Sequence, residues 1–412
     1  MYAWKFSDMP GDPVFPADLT RLGYVLMKYG KIDVIMTLTL GYRYMITADD
    51  HIRQIVNPEE SFKYKIDRND RYNVKHREAM NECVRSIALE RILDAGMEVK
   101  RLPLDTNSND AAMKKPHIPI LVSKNLEHKS HPRRILFLVP DPDQDLGVWS
   151  HRGVGRDGIN EGTMANFVKG VLEDDKHRDT MLIIANPGQL LWHPDAGRAM
   201  TILSWDAMDR PHGPSLMAPI NGDNRVAGHR NHSQHIQSIF ETIVKLNLGP
   251  ETQVGIMCMS AGGLSVLEYL RSHWSDWRQS IAGICFGDPL HTAEFDVGTS
   301  DQSEPTSLAY FLTTRCRAYV LSAKPVGSHD NDSGQYGCNC YSSSEPANTD
   351  CIMIAAWRDM LARLWIYFEE RDYAEPSLSG VQERRCNSPE GSTEPVVESF
   401  PVDDSEESTL IC

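Results

Sequence analysis

Residues 253–270, QVGIMCMSAGGLSVLEYL, set a serine where an apolar run gives way to a helical one. A serine hydroxyl is presented for attack when it stands on a tight strand-to-helix turn whose neighbours are small enough for strand and helix to approach. Cys258, Ala261, Gly262 and Gly263 meet that need around Ser260. The Ala261 amide, at the positive end of the following helix, would be an oxyanion donor. A Ser-Ala-Gly-Gly turn also occurs in α/β proteins that do no chemistry, so the turn alone does not establish a reaction.

A serine stays inert until a histidine takes its proton, and that histidine needs an orienting carboxylate. In strand-to-helix serine sites the chain order is serine, acid, histidine. The run AGICFG ends at Asp288, and the run RAYVLS leads into KPVGSHDND, which holds His329. The last strand-like run, GCNCYSS, is followed by SEPANTDC, and no histidine occurs after His329. The candidate catalytic set is therefore Ser260, Asp288 and His329, with Ala261 as oxyanion donor and a base drawn from an unusual loop. The expectation is a serine that is present but not activated.

Other reactive side chains read as structural. Cys338 and Cys340 are two apart on a strand and share a face, but with Cys351 they form no CxxC pair and have no histidine close by in sequence, so buried thiols are expected rather than a metal site. His232 and His235, near a helix start, read as capping or packing residues. No phosphate-cradling glycine loop occurs, and no cofactor is expected.

These residues need elements to hold them. RRILFLVP (133–140), DTMLIIANPG, the serine strand, SIAGICFGDP, RAYVLSAKP and GCNCYSS read as buried strands. INEGTMANFVKGVLED, HSQHIQSIFETIVKLN and a segment from about 351 to 370 read as helices. Earlier, Met80, Val84, Ile87, Ala88 and Ile92 mark one face of a helix over 71–95, with Gly96 at its cap. Alternation of this kind builds a mostly parallel sheet flanked by helices.

The 412 residues are 41% hydrophobic and 24% charged, with a net charge of −15. Residues 374–412 carry nine acidic and two basic side chains and few large apolar ones, which predicts a disordered acidic tail. The basic run KNLEHKSHPRR (124–134) reads as a solvated loop, so direct nucleic-acid binding is not expected. The opening MYAWKFSDMPGDP lacks an apolar signal region, and the longest strongly apolar run, 32–40, is too short to span a bilayer. An intracellular protein with reduced thiols and no membrane contact is expected.

ANPGQLLWHPDAGRAMTILSW (185–205), NHSQHIQSIFETIV and YGCNCYSSSE together resemble the fungal members of the Argonaute-binding protein two (Arb-two) domain family. The resemblance covers most of residues 1–373. It implies an α/β-hydrolase-like domain over 116–373 behind an N-terminal helical extension, 1–115. It also implies Argonaute or chromatin-silencing partners, a role in small-RNA-directed heterochromatin, and a place in the nucleus or cytoplasm. Animal relatives carry an acid after the penultimate strand and a histidine after the last; here those positions read Gly327 and the histidine-free SSEPANTD. The resemblance thus implies a non-catalytic interaction protein, with a serine esterase using Ser260 and a non-standard base as the alternative.

Residues 29–46, YGKIDVIMTLTLGYRYMI, read as an insertion into the family pattern, either a genuine hairpin or surplus sequence. If they are surplus, deleting 29–46 raises soluble yield, because an unneeded apolar β-prone segment favours aggregation. Loss of folding on deletion would mark a genuine element.

Overall fold

The parallel strands are buried on both faces, and that burial organises everything around them. The computed structural model describes residues 13–26, 50–104, 115–124, 131–209, 220–297, 302–330 and 334–376, all within one compact unit, Met1–Leu378. The 29–46 stretch and the tail beyond Pro376 lie outside the described residues.

The chain begins with a small antiparallel pair, β1 (Tyr24–Leu26) and β2 (Ile52–Gln54), followed by the long helix α1 (Asp70–Asp94). Asn69 caps α1 by accepting from the Arg71 amide, and Gly96, at φ +109°, turns the chain away past its end. There follow β3 (Met97–Leu102), β4 (Ile118–Ser123), β5 (Arg134–Val139), the short helices α2 (His151–Asp157) and α3 (Ile159–Gly162), α4 (Ala165–Leu172) and β6 (Thr180–Ile184). A second antiparallel pair, β7 (Leu191–His193) and β8 (Arg198–Met200), leads to α5 (Ile202–Ala207) and α6 (His232–Ile239). Then come β9 (Gln253–Met259), α7 (Ser260–Trp277), β10 (Ile281–Gly287), α8 (Leu308–Arg315), β11 (Cys316–Val320), β12 (His329–Asp330), β13 (Asn339–Ser342) and α9 (Ile352–Glu369).

Among the described residues nine strands form the central sheet, in the order β12-β13-β11-β10-β9-β5-β6-β4-β3. From β13 to β6 every pair is parallel; β4 runs antiparallel to both β6 and β3, and β12 antiparallel to β13. This is an α/β fold of the α/β-hydrolase kind.

Alternation along β5 divides the core in two. Ile135, Phe137 and Val139 face α6, α7 and α8, where they meet Ile236, Phe240 and Leu267. Leu136 and Leu138 face α1, α4 and α9, where they meet Ile92, Phe167 and Met360. Cys338 and Cys340 are fully buried in the first of these clusters.

Several elements differ from the sequence expectation. Residues 97–102, assigned to an N-terminal extension, are an edge strand of the central sheet. The helix expected over 159–174 breaks at Thr163, where Gly162 lies so close to α2 that an added Cβ would meet the Val154 amide nitrogen at 2.2 Å. The helix at 232 keeps α geometry only to Ile239 and then passes through a π turn, Phe240–Val244.

The tail was expected to begin at 374, yet Glu375 is buried at the sheet. Its carboxylate accepts from Arg317 Nε, Tyr367 OH and Tyr341 OH, each at 2.8 Å, and its amide donates to Thr314 O. Burial by itself would raise this carboxyl; Arg317 outweighs it and holds it below its ordinary value. Its contribution to stability is therefore fully present above about pH 4.3 and is lost as pH falls through the lowered folded-state value. Truncation after Asp372, or Glu375→Ala, leaves the buried Arg317 charge without its partner and should cost about 3–5 kcal/mol in urea unfolding at neutral pH.

Candidate active site

Strand β9 delivers Ser260 to the first position of α7 with φ +48°, a left-handed conformation that costs a non-glycine residue about 1–3 kcal/mol. The turn closes because its neighbours are small. A Cβ on Gly262 would lie 2.8 Å from Val139 Cγ1 and 3.0 Å from the Pro140 carbonyl oxygen. One on Gly263 would lie 3.3 Å from the Phe286 ring. The expected strand–serine–helix turn is present, and Ala261 sits in the first turn of α7, where backbone amides lack helical acceptors.

Ser260 Oγ lies 3.3 Å from Asp141 Oδ2 and 3.3 Å from Asp288 Oδ2. Asp141 follows β5, and its carboxylate also accepts from the Asp143 amide at 2.7 Å. Asp288 follows β10 and has φ +46°, a second left-handed residue facing the first. Burial raises the carboxyls of both Asp141 and Asp288 above their ordinary values, against hydrogen bonds that lower them. Among the described residues no lysine or arginine pairs with either, and no histidine hydrogen-bonds to Ser260.

Ser260 and Asp288 are thus brought together and His329 is not. His329 lies on β12, opposite Tyr341 of β13, four strands from β9. At the usual strand spacing that is ~19 Å across the sheet, beyond any hydrogen bond to Ser260. Residues after the last two parallel strands are otherwise engaged. Gly327, at φ +74°, donates its amide to Ser342 O. Glu345, after β13, is buried, pairs with Arg156 Nη1 at 2.7 Å and accepts from the Ala347 and Asn348 amides.

A buried polar network fixes the loop that carries Asp141. Arg85 of α1 reaches Asp145 at 3.0 Å, His151 Nε2 lies 2.8 Å from the same oxygen, and Gln189 donates to the other oxygen at 2.8 Å. Burial works to raise the Asp145 carboxyl, and Arg85 with His151 overrides it, holding it well below the usual carboxylate range. Nearby, the capping role expected of His232 or His235 belongs to Asn231, which accepts from the Gln234 amide. His235 is a fully buried packing residue: it accepts from the Asn186 amide at Nε2, and its Nδ1 lies 2.9 Å from His229 Nδ1. The residue that sequence reading missed is Asp141. It sits in PDPDQD, which looks like an ordinary turn, and lies 119 positions from the serine it touches.

Since the Asp141 carboxyl is raised in the folded state, its ionisation opposes folding at neutral pH, and that penalty is absent once pH falls below its unfolded value of about 3.9. Asp141→Asn should therefore raise the stability to urea at neutral pH by about 0.5–2 kcal/mol, with the gain fading as the pH is lowered.

Among the described residues no helix is long and apolar enough to cross a membrane, and no group of three or more His, Cys, Asp or Glu is placed to hold a metal ion. Solved structures similar to the chain include esterase LipW from Mycobacterium marinum, at 9% identity and TM-score 0.34, covering 74% of this chain and 92% of that one. Another is a hyperthermophilic esterase from the archaeon Pyrobaculum calidifontis, at 9% identity and TM-score 0.33, covering 76% and 94%. Comparison with curated proteins finds no match. The Arb2 domain matches residues 38–326, which takes in α1, the Ser260 turn and the sheet through β11. The chain belongs to the Arb2 domain family.

Proposed function

We propose that this protein works by binding other proteins, with Argonaute or chromatin-silencing proteins as partners, in small-RNA-directed gene silencing in the nucleus or cytoplasm. Membership of the Arb2 family supports the choice of partners. The observation that sets esterase chemistry aside at neutral pH is the surroundings of Ser260, whose hydroxyl meets two carboxylates where the usual serine esterase has a histidine. With both carboxylates ionised, two negative charges adjoin the place where an oxyanion would form, which opposes attack at neutral pH. The rival reading, an esterase with His329 as base, has no support from the position of that residue on the far edge of the sheet.

Two measurements test the proposal. At neutral pH the purified protein should hydrolyse p-nitrophenyl acetate no faster than its Ser260→Ala variant. The tagged protein should co-precipitate the Argonaute of its own cells, and Ser260→Ala should retain that binding, because recognition uses the surface. A Ser260-dependent rate at neutral pH, or absence of Argonaute from the precipitate, would overturn it.

A further inference from the structure

Ser260 Oγ has one proton to give and two carboxylate oxygens at hydrogen-bond distance. It can donate to only one of them. The other contact is attractive only if that carboxyl carries a proton and donates to Oγ. The arrangement is thus satisfied by a single extra proton on the pair, and is not satisfied by two carboxylates.

Among the described residues the fully buried carboxylates show what this half-buried pair lacks. Asp145 has Arg85, Glu345 has Arg156 and Glu375 has Arg317. Asp141 and Asp288 instead face a serine on a strained strand-to-helix turn, at the amino end of an 18-residue helix. Among the described residues the charged groups around them are few. Asp143 adjoins Asp141 on the same loop, the two aspartates face each other's charge across the serine, and His232 at the start of α6 faces Asp143. Asp141 has two acidic neighbours, Asp143 and Asp288, which favour placing the shared proton on it, against the Asp143 amide, which favours its charged form.

We propose that Ser260, Asp288 and Asp141 form a serine–carboxyl site for acyl esters, with Asp288 as general base in place of histidine and Asp141 as the protonated partner. Ser260 gives its proton to the Asp288 carboxylate as Oγ bonds to the ester carbonyl carbon, and the oxyanion forms at the Ala261 amide. The ester C–O bond then breaks, and the alcohol leaves with the proton from Asp288. Water attacks the acyl-serine and gives a proton to Asp288; the Oγ–C bond breaks, Ser260 recovers its proton, and the acid departs. Ester and water become acid and alcohol, with no change of oxidation state.

The singly protonated pair is the working form, so activity is confined to acidic pH and falls away when both groups ionise or both protonate. This capacity is separate from partner binding, which does not use the hydroxyl. Loss of either leaves the other standing.

The test is fluorophosphonate labelling and p-nitrophenyl acetate hydrolysis by the full chain from about pH 4 to about pH 8, with circular dichroism at each pH. Wild type should show an acidic optimum that is absent in Ser260→Ala and Asp288→Asn and unchanged in His329→Ala. Asp141→Asn imitates the protonated partner, so at neutral pH it should react at least about tenfold faster than wild type. Asp141→Ser, a smaller neutral side chain, should do the same if the asparagine variant folds poorly. The neutral-pH arm decides the matter even where acid unfolds the protein. Failure of both Asp141 variants to react at neutral pH, together with no acidic optimum in wild type wherever the native fold persists, would overturn the proposal.

Discussion

A carboxylate taken out of water is stable only beside a cation or a set of donors, and this constraint holds the loops of the domain in place. Arg85 and Asp145 tie α1 to the loop after β5. Arg156 and Glu345 tie α2 to the loop after β13, and Arg317 and Glu375 tie β11 to the last described residues of the chain. Each pair joins segments distant in sequence, at a point where backbone would otherwise be free to move. Breaking any one of them strands a charge in a dry place, so the three loops cannot relax independently of the sheet.

The two aspartates at Ser260 differ: they are half-buried and, among the described residues, pair with no lysine or arginine. The fold supplies the strained turn, the helix amino end and the close packing that present a serine, and it supplies them through glycines and small side chains rather than through catalytic residues. What accompanies the serine is set by the loops after other strands, which can change without disturbing the turn. That separation is why the architecture alone says little about reaction.

Much of this was legible in the sequence, for reasons that can be traced. The parallel strands read clearly because burial on both faces makes them continuous apolar runs, as in RILFLV and IAGICFG. The serine turn read clearly because small residues cluster around it. Edge strand β3, MEVKRL, was invisible because its solvent-facing positions are charged and its pattern does not differ from that of a helix end. Asp141 could not be found because its meaning depends on β5 and β9 being neighbours, and strand order is not written locally. His329 lies away from Ser260 for the same reason, since loop proximity in sequence is not proximity across a sheet. Glu375 was hidden by composition: the Ser, Pro and Glu around it announce disorder, while its side chain is anchored by Arg317 and three tyrosines.

Glu345 bears on how this chain can change over time. It occupies the loop after β13, and its carboxylate both holds Arg156 and collects the amides that shape that loop. An imidazole brought in by a point mutation would remove the acceptor that gives the loop its form, so the new side chain would arrive on a backbone no longer arranged to aim it. Gaining a base in this loop therefore needs several coordinated changes, and the first of them is a loss.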